Sequence, residues 1–190
     1  MTGPVLPAVA SAAAAEVLVR ARGTADALRS RFGDAILRQV ESAGQLAVYV
    51  DASTCHDILA WLRDEPAQQF DYLCDITAVE YRDPELPLEV CYQLRSLPNG
   101  IDLRIKVPFD PEGVLELPSC VDLWAGADWL ERETWDMFGV IFDGHPALTH
   151  ILMPDDWDGH PQRKDYPLGG IPVEYHDATI PPPDTRRAYR

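Results

Sequence analysis

Strict alternation of apolar and polar side chains is clearest between residues 88 and 107. Leu88, Val90, Tyr92 and Leu94 alternate with Glu89, Cys91, Gln93 and Arg95. After Ser96-Leu97-Pro98-Asn99-Gly100, the residues Ile101, Leu103, Ile105 and Val107 alternate with Asp102, Arg104 and Lys106. A period of two marks half-buried strands, and Asn-Gly in the short link between them marks a hairpin. Each strand has one apolar and one polar face, which predicts an antiparallel sheet covered on one side by helices. Gly44 opens another strand, Gln45 to Val50, with Leu46, Val48 and Val50 on one face. The apolar run Phe70 to Val79 predicts a further one.

Helical spacing separates these runs. Thr24 is placed to N-cap a short helix carrying Ala27, Leu28 and Phe32, with Gly33 at its end, and a second helical piece is expected over Asp34 to Glu41. Ser53 is placed to cap a helix bearing Ile58, Leu59, Trp61 and Leu62, which Pro66 closes. A third helix is expected from about Ala125 to Phe138, with Gly139 at the C′ position. The prediction is an α+β, two-layer domain over residues 23–153. Its mixed, largely antiparallel sheet has about five strands, covered by helices on one face. Residues 1–22 read as a mobile, Ala-rich lead-in. Residues 154–190 are too rich in Pro and Gly for a core and read as an extended tail, with polyproline II at Pro181-Pro182-Pro183. A coreless segment this long needs a reason, and Tyr166, Tyr175 and Tyr189 suit it to lie along a neighbouring protein in an assembly.

Composition narrows the function. At 190 residues with 46% apolar content the chain supports an ordinary core. Its net charge of −15 argues against nucleic acid or an anionic bilayer as partner and suits basic protein partners. Cys55, Cys74, Cys91 and Cys120 contain no CxxC, so zinc-ribbon and iron–sulfur spacings are absent. Buried free thiols in a reducing compartment are expected. The first fifteen residues lack the basic start of a signal peptide, and no run of eighteen apolar residues predicts a membrane span.

The densest stretch in specific residues is Asp128 to Leu168. Glu131 and Glu133 look like a catalytic carboxylate pair, but residues two apart on a helix point about 200° apart. Arg132 stands i,i+4 from both Asp128 and Asp136 and is expected to pair with them. Glu131 lies at the edge of the apolar stripe of Leu130, Thr134, Met137 and Phe138, where an ion-paired contact with a partner or with the following loop is expected. Asp143-Gly144-His145-Pro146 recurs as Asp158-Gly159-His160-Pro161. Two His with Asp155, Asp156 or Asp165 could ligate a metal. The preferred reading is turn chemistry, with each pre-proline His pinning its turn by a backbone hydrogen bond. Arg163-Lys164-Asp165 is a basic spot suited either to docking a carboxylate surface or to a solvated turn. No nucleophile motif or phosphate-binding loop occurs.

This stretch resembles the family of the thirty-kilodalton-type subunit, the C subunit, of respiratory complex I (NADH:quinone oxidoreductase). The residues that carry the resemblance are Glu131-Arg132-Glu133, Asp136-Met137-Phe138-Gly139, Gly144-His145-Pro146, Ile151-Leu152, Gly159-His160-Pro161 and Arg163-Lys164-Asp165-Tyr166-Pro167. The resemblance implies a non-catalytic, cofactor-free subunit of the hydrophilic arm. It would contact the large quinone-site subunit, the D subunit, and the iron–sulfur subunits. FMN and the iron–sulfur clusters would reside in partners, and membrane contact on the cytoplasmic side of the cell membrane would come only through the complex. The chain departs from the family pattern at Ala147, Thr149, His150 and Gln162, which leaves room for a related hydrogenase or donor-variant complex. A reading from another class is a free-standing metal hydrolase built on His145, His160 and nearby Asp residues.

Overall fold

The structure, a computed structural model, describes residues 12–81, 88–109 and 113–166. A helix, α1 (Ala12–Phe32), leads into the hairpin β1 (Ile36–Ser42) and β2 (Gln45–Val50). Then come α2 (Cys55–Asp64), β3 (Tyr72–Glu80), β4 (Leu88–Ser96) and β5 (Ile101–Pro108). The short β6 (Glu116–Pro118), α3 (Ala127–Phe138) and β7 (Ile141–Asp143) complete the order. The five long strands form one sheet in the order β1-β2-β5-β4-β3. β2 and β5 run parallel, and the other three pairs are antiparallel. This is the mixed, largely antiparallel α+β sheet that the alternation predicts. β6 and β7 form a separate parallel pair.

Alternation sends Val48, Val90, Leu94, Leu103, Ile105 and Val107 into a core where all are fully buried. Each such side chain contributes about 1.5–3 kcal/mol by leaving water. α1 adds Ala21, Ala25 and Leu28, one helical face, and packs on β5, β2 and β1. α2 adds Ile58, Leu59 and Leu62, and α3 packs on β3. The residues between them, such as Arg104 and Lys106, turn to the opposite face of the sheet.

Three expectations are corrected. Residues 12–22 are not a mobile lead-in: they are the first half of α1, whose Ala-rich start has the highest intrinsic helix propensity. Thr24 is therefore no cap but a buried mid-helix residue whose hydroxyl donates to the Gln68 side-chain amide oxygen (Oε1) at 2.8 Å. Asp34 to Glu41 is not helical. A 3-10 turn at Gly33–Ala35 hands over to edge strand β1, because Ala43 and Gly44 both adopt positive φ (51° and 76°) and close a tight hairpin onto β2. Third, Asp51 rather than Ser53 caps the approach to α2, its carboxylate accepting from the Ser53 N–H. The expected tail divides at Tyr166. Residues 154–166 are turns packed against α3, and residues 167–190 lie outside the described residues.

Candidate functional site

α3 and the turns that follow it carry the residues singled out between Glu131 and Asp165 and bring Arg132, Asp136, Gly139, His145 and His160 into contact, while Glu133, Asp155 and Asp156 stay exposed. The helix ends where Gly139 turns left-handed at φ 79°, and its N–H donates to the Trp135 carbonyl. A Cβ at Gly139 would stand 2.5 Å from the His160 ring, so this position needs glycine for both its conformation and its neighbour.

Glu131 and Glu133 point apart, as the helical spacing requires: Glu131 is fully buried and Glu133 exposed. Glu131 is not ion-paired to a partner or to the following loop. Its carboxylate accepts from the Ser119 hydroxyl and the Cys120 N–H, both at 2.7 Å, in the loop before α3. Buried Cys120 and Tyr92 stand near it, with Cys55 beside Tyr92. Burial pushes the Cys55 thiol up to about 12, while burial and the Glu131 carboxylate push Cys120 up as well.

Arg132 does not pair with Asp128 or Asp136. Its guanidinium donates to the carbonyls of Thr149 (3.2 Å) and His150 (2.9 Å) and lies over the Trp129 ring. Asp136 is fully buried and already engaged. One carboxylate oxygen is 2.7 Å from His150 Nδ1, and the other accepts the N–H groups of Ile151, Leu152 and Met153 at 2.8–3.1 Å. Burial alone would raise its pKa, but these donors outweigh it and hold the carboxyl at about 2. The i,i+4 spacing fails because loop donors outcompete a side chain on the same helix. Phe138 packs into the core beside them.

Both histidines of the repeated motif act on α3. His145 Nδ1 accepts from the Ala147 N–H at 3.0 Å, so Nε2 carries the proton and donates to the Asp128 carbonyl at 3.2 Å. His160 Nδ1 donates to the Asp136 carbonyl at 3.1 Å, and its ring lies against Gly139. Pro146 is exposed beside a cleft that also holds the His56–Asp122 pair, 3.0 Å apart. Pro161 is half-buried, and the Gln162 N–H donates to the Met137 carbonyl. Arg163 pairs with Asp165 at 3.3 Å. The Lys164 N–H donates to Glu80 at 2.6 Å, tying this turn to the end of β3. Among the described residues no group of three or more His, Cys, Asp or Glu stands close enough to hold a metal.

The sequence reading placed Thr134 on the apolar stripe but missed its hydroxyl, which lies within hydrogen-bond reach of the Ile76 and Leu130 carbonyls, and it missed Trp135, whose ring packs at a tilt on His150 with centroids 4.9 Å apart. The contacts that matter carry no local signal, since Ile76 lies in β3 and His150 in the turns after α3. Among the described residues of this arrangement no unengaged nucleophile stands beside a base. What it does chemically is lock one helix in a shell of turns.

The model of the family described as "Respiratory-chain NADH dehydrogenase, 30 Kd subunit" matches residues 48–172. The C subunit of the NADH-quinone oxidoreductase of Acidothermus cellulolyticus is 52% identical over 160 residues, 84% of this chain and 83% of that protein. Its counterpart in Saccharopolyspora erythraea is 50% identical over 86% of this chain and 66% of its own length. Among solved structures, a trypsin-resistant fragment (1-134) of Nqo5 aligns with TM-score 0.56 and 30% identity, covering 65% of this chain and 98% of the fragment. A chain of the archaeal membrane-bound sulfane sulfur reductase, at 22% identity and TM-score 0.64 over 78% of this chain and 86% of its own, shares the fold. The chain belongs to the family of the 30 kDa subunit of respiratory-chain NADH dehydrogenase.

Proposed function

We propose that this chain is a non-catalytic subunit of the hydrophilic arm of a proton-translocating NADH:quinone oxidoreductase. It works in assembly, beside the quinone-site and iron–sulfur subunits. Electrons pass from NADH through FMN and iron–sulfur clusters in partner proteins to quinone. The observation that carries this reading is the family match over residues 48–172, which spans the whole α3 module. The chemistry of that module supports it: Glu131, Asp136, His145 and His160 are committed to internal hydrogen bonds, which suits a scaffold better than an active site. No helix among the described residues is long and apolar enough to cross a membrane. In this reading, attachment at the cytoplasmic face of the membrane comes through the partners.

An affinity tag on the chain tests this in the native host. The expected result is co-purification of a membrane-derived complex that oxidises NADH and reduces quinone. Isolation of the chain alone, or with a complex inert to NADH, overturns it. The second outcome would favour the donor-variant reading.

A further inference from the structure

The face of the sheet away from the helices holds a hollow of about 260 Å³ between β1, β2 and β5. Its lining includes Ser42, Gln45, Tyr49, Arg104 and Lys106, and no carboxylate borders it. Arg38 reaches over its edge, with the guanidinium 3.9 Å from the centre of the Tyr49 ring. Arg104 is aimed by two amides, donating to Gln93 at 3.0 Å and Gln45 at 3.1 Å. Lys106 is anchored from below by Glu89, which also accepts from the Tyr81 hydroxyl. Arg38 and Arg104 have no carboxylate partner among the described residues.

Two further features define what fits. In a chain with 31 acidic and 16 basic residues, two guanidiniums without a carboxylate partner, beside a Lys106 already paired with Glu89, make a local positive site in a negative field. A matching anion gains on both counts, attraction here and repulsion elsewhere on the surface. Next, the rim is apolar on the β1 side, where Val40 lines the hollow and is 38% exposed. A small inorganic anion makes no use of such a rim, whereas a polypeptide does.

We propose that this hollow is a docking site for an Asp- or Glu-bearing segment of a partner protein in the complex, its carboxylate between Arg38 and Arg104, beside Lys106, and its apolar side chains on Val40. The proposal rests on the assembly role inferred above and names the chemistry of one of its contacts.

The test uses the assembled complex. In an Arg38→Lys variant the cation is kept but becomes an amine. A zero-length carbodiimide then condenses that amine with any carboxylate in contact, losing water, and peptide mass spectrometry reads the partner. The expected result is an amide between position 38 and an Asp or Glu of a different protein of the complex. An amide to a second copy of this chain overturns the proposal. So does acetylation of position 38 in the complex at the rate of the free chain. An Arg38→Glu variant, exposed and remote from the core, should enter the complex at least about tenfold less than wild type, since it sets like charges against each other. Normal incorporation overturns the proposal. If wild-type chain fails to co-purify with the oxidoreductase at all, the functional reading itself fails. Co-purification with position 38 open to solvent sinks only the docking site.

Discussion

Replacing Asp136 by Asn tests the shell around α3 most directly. The side chain keeps its shape but loses the charge that organises His150 and three successive N–H groups. Its pKa falls from the ordinary 3.8 to about 2 on folding. That difference corresponds to about 2.5 kcal/mol of stability at neutral pH. For a chain of this size the loss lowers Tm by about 5–10 °C. The sign follows from the depressed pKa: the contribution is complete above the unfolded-state value and is lost as pH falls through the folded one. About half of it survives at pH 3. Urea unfolding of the isolated wild-type and Asp136→Asn chains, followed by Trp fluorescence, should show a gap of about 2.5 kcal/mol at neutral pH. It should shrink below pH 4, as the wild type alone loses the charge. Trp135, its ring packed at a tilt on His150, lies in the affected shell and reports on it. A gap that stays constant from pH 7 to pH 3, or one below about 0.5 kcal/mol, which is a surface-substitution effect, would refute the charge argument.

Other substitutions probe the same shell and the core. Gly139→Ala forces a left-handed alanine against the His160 ring and should cost about 1–3 kcal/mol in denaturant titration. Arg132→Ala removes two hydrogen bonds to carbonyls and the stacking on Trp129. It should cost about 1–2 kcal/mol and reduce the amount of assembled complex while turnover per complex stays normal. Normal amount with turnover near zero would mean that α3 takes part in the chemistry. Of the four thiols, Cys74 alone is exposed, while burial raises Cys55 to about 12 and Cys91 to about 11. A disulfide reagent should therefore titrate one thiol in the native chain and four in denaturant.

The parts of the fold that could be read from the sequence are those in which a residue's environment follows from its own neighbours. β4 and β5 alternate because one face of each is buried, and α3 shows its stripe and its terminal glycine for the same local reason. β1 escaped because it is an edge strand with one buried residue, Ile36, so it lacks alternation. The first half of α1 escaped because small alanines give no contrast between faces. At the site, Arg132 and Asp136 were placed correctly on the helix but assigned to each other. Their true partners lie 14 to 18 residues further on, in turns that no periodicity describes. Glu131 was likewise given an ion pair, when a hydroxyl and an N–H from the preceding loop satisfy it.

The repeated Asp-Gly-His-Pro motif has a use that follows from helix ends. An α-helix leaves its last carbonyls without intrahelical partners. In α3 the Trp135 carbonyl takes the Gly139 N–H, that of Asp136 takes His160, and that of Met137 takes the Gln162 N–H. The second copy of the motif therefore closes the C-terminal end. The first copy holds the other end, His145 donating to the Asp128 carbonyl and its Nε2 lying 3.4 Å from the Asp128 carboxylate. One sequence motif thus clamps both ends of one helix, with opposite ring nitrogens protonated. Of the residues that carry the family resemblance, Glu131, Asp136, Met137 and Phe138 are buried and serve the shape, while Glu133, Pro146, Leu152, Lys164 and Asp165 are exposed. Trp129 and Leu152 are 60% and 55% exposed, and with the cationic hollow on the far face of the sheet they are the surfaces that the proposed assembly role would use. A scaffold of this kind separates the residues that make its shape from those that use it. Substitutions in the first set should lower stability in the isolated chain, and those in the second only assembly.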